Sequence, residues 1–245
     1  LNRGRVIITV FAVPFMLVPA FFAEEFLVAV GQDPEVSRQA QSFIRLYLPA
    51  VFMYGHFDLT KRFMAALRVT YVPMAGQMLV QLIHIPLCYF FAIKMGMQIN
   101  GLAIASSITN TCLVLVTTLL GVYLKDVAPT QHLPNRDALR GWGEYLAISL
   151  PSVASIVVDY AFYELLVMLS GVLGVVSLTA QGLVANTLNT LLMVPLGFQE
   201  SACALIGNCI GADKPGLGKS IFRMANLCAV ILFGAKFVLI YIYRY

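Results

Sequence analysis

VIITVFAVPFMLVPAFFAEEFLVAV, residues 6–30, is the stretch whose reading decides the fold. Glu24 and Glu25, close to its end, are its only charges. A helix rises ~1.5 Å per residue, so this run is long enough to cross the ~30 Å hydrocarbon layer of a bilayer. Six more stretches of the same kind follow, at 43–66, 71–93, 101–124, 145–169, 178–210 and 220–243. Gly31-Gln32-Asp33-Pro34 closes the first, and the polar run from Lys125 to Arg140, with Pro129 and Pro134, separates the fourth from the fifth. Trp142 and Tyr145 beside that run suit a membrane interface. The 178–210 stretch exceeds one straight span, and Pro195 and Gly197 are expected to bend it.

Composition agrees. Hydrophobic residues make up 60% of the 245-residue chain and charged residues 11%, about half the charge of an ordinary soluble domain. With a mean hydropathy of +0.83, a water-soluble fold would expose apolar patches large enough to aggregate. The expected fold is therefore all-α, a polytopic bundle of about seven transmembrane helices with lipid as its solvent. A net charge of +4, with no basic run interleaved with aromatics, gives no footing for nucleic acid. Cys88, Cys112, Cys203, Cys209 and Cys228 lie in apolar stretches without metal-ligand spacing and read as small buried residues. Leu1 opens the chain in place of a methionine, without a signal peptide, and the sequence reads as part of something longer.

Loop charge orients the bundle. Arg3, Arg5, Lys61, Arg62, Arg68, Lys125, Arg136, Arg140, Lys214, Lys219 and Arg223 fall on one side; Arg38, Arg45, Lys94 and Arg244 fall on the other. The positive-inside rule makes the first side cytoplasmic. Lys236 is left within the last span.

A charge at the bilayer centre costs roughly 2.5–3.5 kcal/mol on insertion scales, so it needs a partner, water or a function. Asp58 has Arg62 one turn on and reads as an ion pair. Asp159 and Glu164, in Ser155-Ile-Val-Val-Asp-Tyr-Ala-Phe-Tyr-Glu164, have no basic residue on their own span. Five helical positions set them about 140° apart, so they do not face one cavity together. Tyr163 shares a stripe with Asp159, and Tyr160 shares one with Glu164. A carboxyl group held away from water is the chemistry that takes up and releases a proton or holds a cation. On the next span Gly182, Asn186 and Asn189 form a stripe, with Gln181 alongside; amides at that spacing either join helices or line a wet cavity. His84, before Ile85-Pro86, reads as a hydrogen-bonded core residue. Nothing supports bond-making chemistry: no nucleophile–base pair stands out, and Gly211 to Ser220 lacks the spacing of a phosphate loop. The chain is read as a transporter and not an enzyme.

Several blocks carry a family resemblance. They include Gly31-Gln-Asp-Pro-Glu-Val36, Pro49-Ala-Val-Phe-Met-Tyr-Gly55, His84-Ile-Pro-Leu-Cys-Tyr89, Asn100-Gly-Leu-Ala-Ile-Ala105, Leu150-Pro-Ser152, Tyr163-Glu-Leu-Leu-Val167, Val194-Pro-Leu-Gly197 and Gly207-Asn-Cys-Ile-Gly-Ala212. In this order they resemble the MATE (multidrug and toxic compound extrusion) family, in its eukaryotic, plant-like branch. The resemblance implies helices three to nine of a twelve-helix, two-lobe transporter. Residues 1–124 would be four helices of the N-terminal lobe, 125–142 a cytoplasmic inter-lobe linker, and 143–245 three helices of the C-terminal lobe.

It further implies an antiporter that exports organic cations and xenobiotics by alternating access, coupled to H⁺ or Na⁺ without a cofactor. The expected form is a monomer in the plasma membrane or a vacuolar or vesicular membrane, partnered by the lipid bilayer and small-molecule cations. The family's seventh-helix acid falls on Asp159, where relatives usually have Glu, and its second acid on Glu164. Tyr160, Tyr163, Gln181, Asn186 and Asn189 would line the substrate cavity. Asn186 stands where some animal members carry Glu, and Asp58 where relatives often have an amide. Two rivals remain: a lipid or polysaccharide flippase of the wider exporter superfamily, and a seven-helix receptor, which requires the opposite orientation and blocks this chain lacks.

Overall fold

The computed structural model describes residues 1–29, 31, 33–124, 127–130 and 136–242. Over them the protein is all-α, with seven long helices: α1 (Asn2–Ala29), α2 (Pro34–Ala66), α3 (Tyr71–Cys88), α4 (Gln98–Val122), α5 (Trp142–Val172), α6 (Val175–Gly211) and α7 (Pro215–Ile242). Val30, Gln32, Arg244 and, within the expected linker, Lys125 and Pro134 lie outside the described residues. Six of the seven helices are long and apolar enough to cross a membrane. The remaining one, α2, carries Glu35, Arg38 and Arg45 toward one end and Asp58, Lys61 and Arg62 toward the other, and these charges lower its average hydropathy. It also starts earlier than residue 43. Asp33 caps it, accepting from the Glu35 and Val36 backbone N–H groups at 2.9 and 3.2 Å, with Pro34 in the first helical position, where a missing N–H is harmless.

The chain divides into two compact units, Leu1–Trp142 and Gly143–Tyr245. In the first, α2 packs on α1 and α4, and α4 packs on α3. Polar side chains join the helices at points where backbone carbonyls can take a second donor. Arg45 Nε donates to the Ala20 carbonyl at 2.7 Å and Gln41 Nε2 to that of Phe21 at 2.8 Å, tying α2 to α1 just past Pro19. Ser107 Oγ donates to the Leu46 carbonyl at 2.7 Å, tying α4 to α2. Phe57, Val80 and Leu113 form one buried cluster between α2, α3 and α4.

Beyond Pro86, α3 widens into a π-helical turn, Tyr89–Lys94. The start of α4 lies against its backbone at Gly101, where an added Cβ would stand 2.6 Å from the Phe91 carbonyl carbon. Only glycine permits that approach.

A second cluster closes the other end of this unit. Met64, Val69 and Val72 surround Val127, which is fully buried. The described parts of the expected linker are thus docked: Val127 sits in this core, and the short 3₁₀ turn Arg136–Leu139 packs against α1. Trp142 Nε1 donates to the Ala138 carbonyl at 2.9 Å.

In the second unit, Gly174 (φ +109°) supplies the left-handed turn between α5 and α6. α6 runs unbroken through Pro195 for 37 residues, about 55 Å at the usual rise and well beyond the hydrocarbon thickness. It packs on α7, with Gly218 lying close to Cys209.

Candidate functional site

Three helices of the first unit line a half-open cavity of about 320 Å³. α2 contributes Tyr47 and Tyr54, one turn to either side of Ala50 and Val51; α3 contributes Gln81 and His84; α4 contributes Ser106, Thr109 and Asn110. Each set falls on one helical stripe, because positions three, four and seven apart share a face. The lining offers hydroxyls, amides and one imidazole, and no carboxylate.

His84 organises one wall. Its Nδ1 lies 2.9 Å from Thr109 Oγ1, and its Nε2 lies 3.3 Å from Cys88 Sγ one turn further along α3. The histidine is hydrogen-bonded, as the sequence suggests, but it also borders this space.

Asp159 and Glu164 lie on α5, which runs unbroken through both. Their side chains therefore leave the helix on different faces, and the pairings of Asp159 with Tyr163 and of Tyr160 with Glu164 along shared stripes hold. All four are exposed in this chain; Tyr160 is 69% exposed. Gln181, half-buried, and Asn186 and Asn189, exposed, lie on α6. The Asn186 backbone carbonyl accepts from Thr190 Oγ1 at 2.9 Å. Among the described residues, no ion pair involves Asp159 or Glu164.

Asp58 pairs with Arg62 Nε at 2.8 Å, as its spacing predicts, and also with Lys61 Nζ at 2.7 Å. Both basic groups sit within a turn of it, so the acid is satisfied locally. Glu24 and Glu25 border an open pocket of about 660 Å³ together with Gln41 and Arg45.

Sequence reasoning missed the first-unit cavity. Its signal was present as three short polar stripes on three helices, of which only His84 stood out.

Comparison with known proteins places the chain in a family. The family model described as MatE matches residues 1–90 and 151–245. Protein DETOXIFICATION 16 of Arabidopsis thaliana is 28% identical across 98% of the chain, which covers 50% of that relative. Multidrug and toxin extrusion protein 1 of Rattus norvegicus is 26% identical across 99% of the chain and 44% of the relative. The chain thus spans about half the length of the curated relatives it matches. The crystal structure of a eukaryotic MATE transporter, AtDTX14, superposes with a TM-score of 0.84 over 99% of the chain and 56% of its own length, at 24% identity; that likeness concerns the fold.

Proposed function

The chain belongs to the MatE family, a multi-pass membrane family, and on that footing we propose that the protein containing it is a cation-coupled antiporter exporting organic cations and xenobiotics. The observation that carries this reading is the match, across nearly the whole chain, to relatives named for detoxification and for multidrug and toxin extrusion. A seven-helix receptor has no comparable support.

In this reading residues 1–124 belong to the N-terminal lobe, 125–142 to the inter-lobe linker and 143–245 to the C-terminal lobe. Asp159 and Glu164 take up and release the coupling ion, H⁺ or Na⁺. Their lack of a basic partner on α5 supports the assignment, since an acid already neutralised by an ion pair has little to exchange. Tyr160, Tyr163, Gln181, Asn186 and Asn189 supply aromatic faces and amide groups for cargo. The tyrosine rings suit an organic cation, which is attracted to the negative face of an aromatic system.

Coupling then follows from electrostatics. A carboxylate that holds a cargo cation loses its hold when it takes up a proton, so one site serves two ligands in turn. If the two states of the protein expose that site on opposite sides, the proton gradient drives export.

The test is transport by the full-length protein in proteoliposomes. With an imposed pH gradient, labelled tetraethylammonium should move against its own gradient, and should equilibrate only when the gradient is collapsed. Movement of a labelled lipid in place of the cation would favour the flippase reading instead.

A further inference from the structure

Segments that join two domains are usually exposed and bend along their length. The segment between the two units of this chain departs from that pattern. Val127 is wholly buried, and its N–H donates to the Leu124 carbonyl at 3.1 Å, carrying the chain on from the end of α4. Thr130 Oγ1 donates back to the Val127 carbonyl at 2.6 Å and closes the short 3₁₀ turn Ala128–Thr130, which lies against α4. Further on, Ala138 is only 7% exposed, and its own turn, Arg136–Leu139, lies against α1. The segment is thus held by the first unit near both of its ends. The first unit accordingly runs as far as Trp142.

Freedom to turn is confined to Gly141-Trp142-Gly143, between that docked turn and the body of α5. Gly141 has φ +70°, a conformation that side-chain-bearing residues rarely adopt. The Arg3 guanidinium of α1 lies over it, 3.1–3.3 Å from where a Cβ would stand. Trp142 opens α5 but is tied backward, its Nε1 donating to the Ala138 carbonyl at 2.9 Å. Gly143 has open space around it. Gly141 therefore follows the last turn held by α1 and precedes the first residue held in a helix of the second unit. Rotations between rigid bodies are absorbed by a few residues in such a place.

We propose that the segment joining the units is a rigid extension of the first unit, and that Gly141 is the pivot about which the second unit turns. The proposal deepens the alternating-access reading and rests on it for the motion. Residues 127–140 travel with α1 and α4, and the change in backbone angles is concentrated at Gly141 in place of being spread over the whole segment.

The experiment measures spin-label distances in the full-length protein in lipid nanodiscs, with the native cysteines replaced by alanine. Labels at Tyr123 and Leu139 report on the segment against the first unit; labels at Leu139 and Leu217 report across the pivot. All three positions are exposed. Both distances are read at acidic and at alkaline pH, with and without tetraethylammonium. The Tyr123–Leu139 distance should stay narrow and constant, while the Leu139–Leu217 distance shifts between conditions. G141V, which cannot hold a positive φ without strain, should reduce that shift and leave the Tyr123–Leu139 distance as it was. The pivot is overturned if the Tyr123–Leu139 distance itself shifts, if the Leu139–Leu217 distance is fixed under every condition, or if folded G141V shifts as wild type does. The expected distances in a protein that moves no cation would reject the antiporter reading and leave the pivot standing. Cation transport with a shifting Tyr123–Leu139 distance would do the reverse.

Discussion

His84 on α3 and Thr109 on α4 are joined by a hydrogen bond whose direction can be read from its neighbours. The Thr109 hydroxyl has a single proton, and that proton goes to the Ala105 carbonyl 2.7 Å away. Its oxygen therefore accepts from His84, 2.9 Å distant, so Nδ1 carries the hydrogen. In the neutral ring Nε2 is then the acceptor, placed to take the Cys88 thiol proton at 3.3 Å.

Thr109→Val should strip the histidine of its acceptor and cost about 1–3 kcal/mol, the usual penalty for leaving a partly buried donor unmet. Thr117 is the matched control. Its hydroxyl oxygen is buried with no partner among the described residues, so Thr117→Val should leave stability unchanged or raise it. Thermal unfolding of the two variants in the same detergent compares them; an equal loss in both would contradict the assigned bond.

Gly101→Ala should destabilise the first unit severely. The new methyl would meet backbone atoms at 2.6 and 2.7 Å, and backbone of a π turn has no rotamer by which to yield. Gly55→Ala, whose methyl would find only Ile8 Cγ2 at 3.8 Å, should be tolerated. Yield of monodisperse protein after purification distinguishes the two.

Val127→Asp should release the linker from the first unit, because a carboxylate cannot stay unpaired among Met64, Val69 and Val72. The measurement is limited proteolysis: cleavage between residues 125 and 142 should speed up while the helices stay intact. Cleavage at the wild-type rate would show that Val127 does not hold the segment.

Asp58→Asn should cost less than about 1 kcal/mol, since exposed or half-exposed helix ion pairs contribute little. Arg62 in particular is 56% exposed. Its transport rate in the full-length protein should equal wild type; a loss of coupling would move Asp58 from a structural to a functional role.

Much of this was legible in the sequence because lipid is a demanding solvent. Long apolar runs can satisfy their backbones only as helices, and the break between the first two is written in Asp33-Pro34. The Asp58–Arg62 pair is local and follows from spacing alone. What escaped depends on more than one helix. The cavity needs Tyr54, Gln81 and Asn110 from three helices, and no one stripe announces it. Val127 looks like any valine in a polar stretch until the folded chain lays it on Met64. The π turn after Pro86 leaves no pattern of its own, although Gly101, against which it packs, is part of a block that resembles the family. Asp159 and Glu164 stand out in the sequence alone, because an acid in an apolar run is conspicuous whatever surrounds it.

The claim on which the functional account depends is that Asp159 exchanges its ion for cargo. The direct measurement is pH-gradient-driven tetraethylammonium transport by the full-length protein in proteoliposomes, wild type against Asp159→Asn, with folding verified by an unchanged elution profile. The account predicts that the variant loses gradient-driven accumulation. Accumulation at the wild-type rate in the folded variant would contradict it.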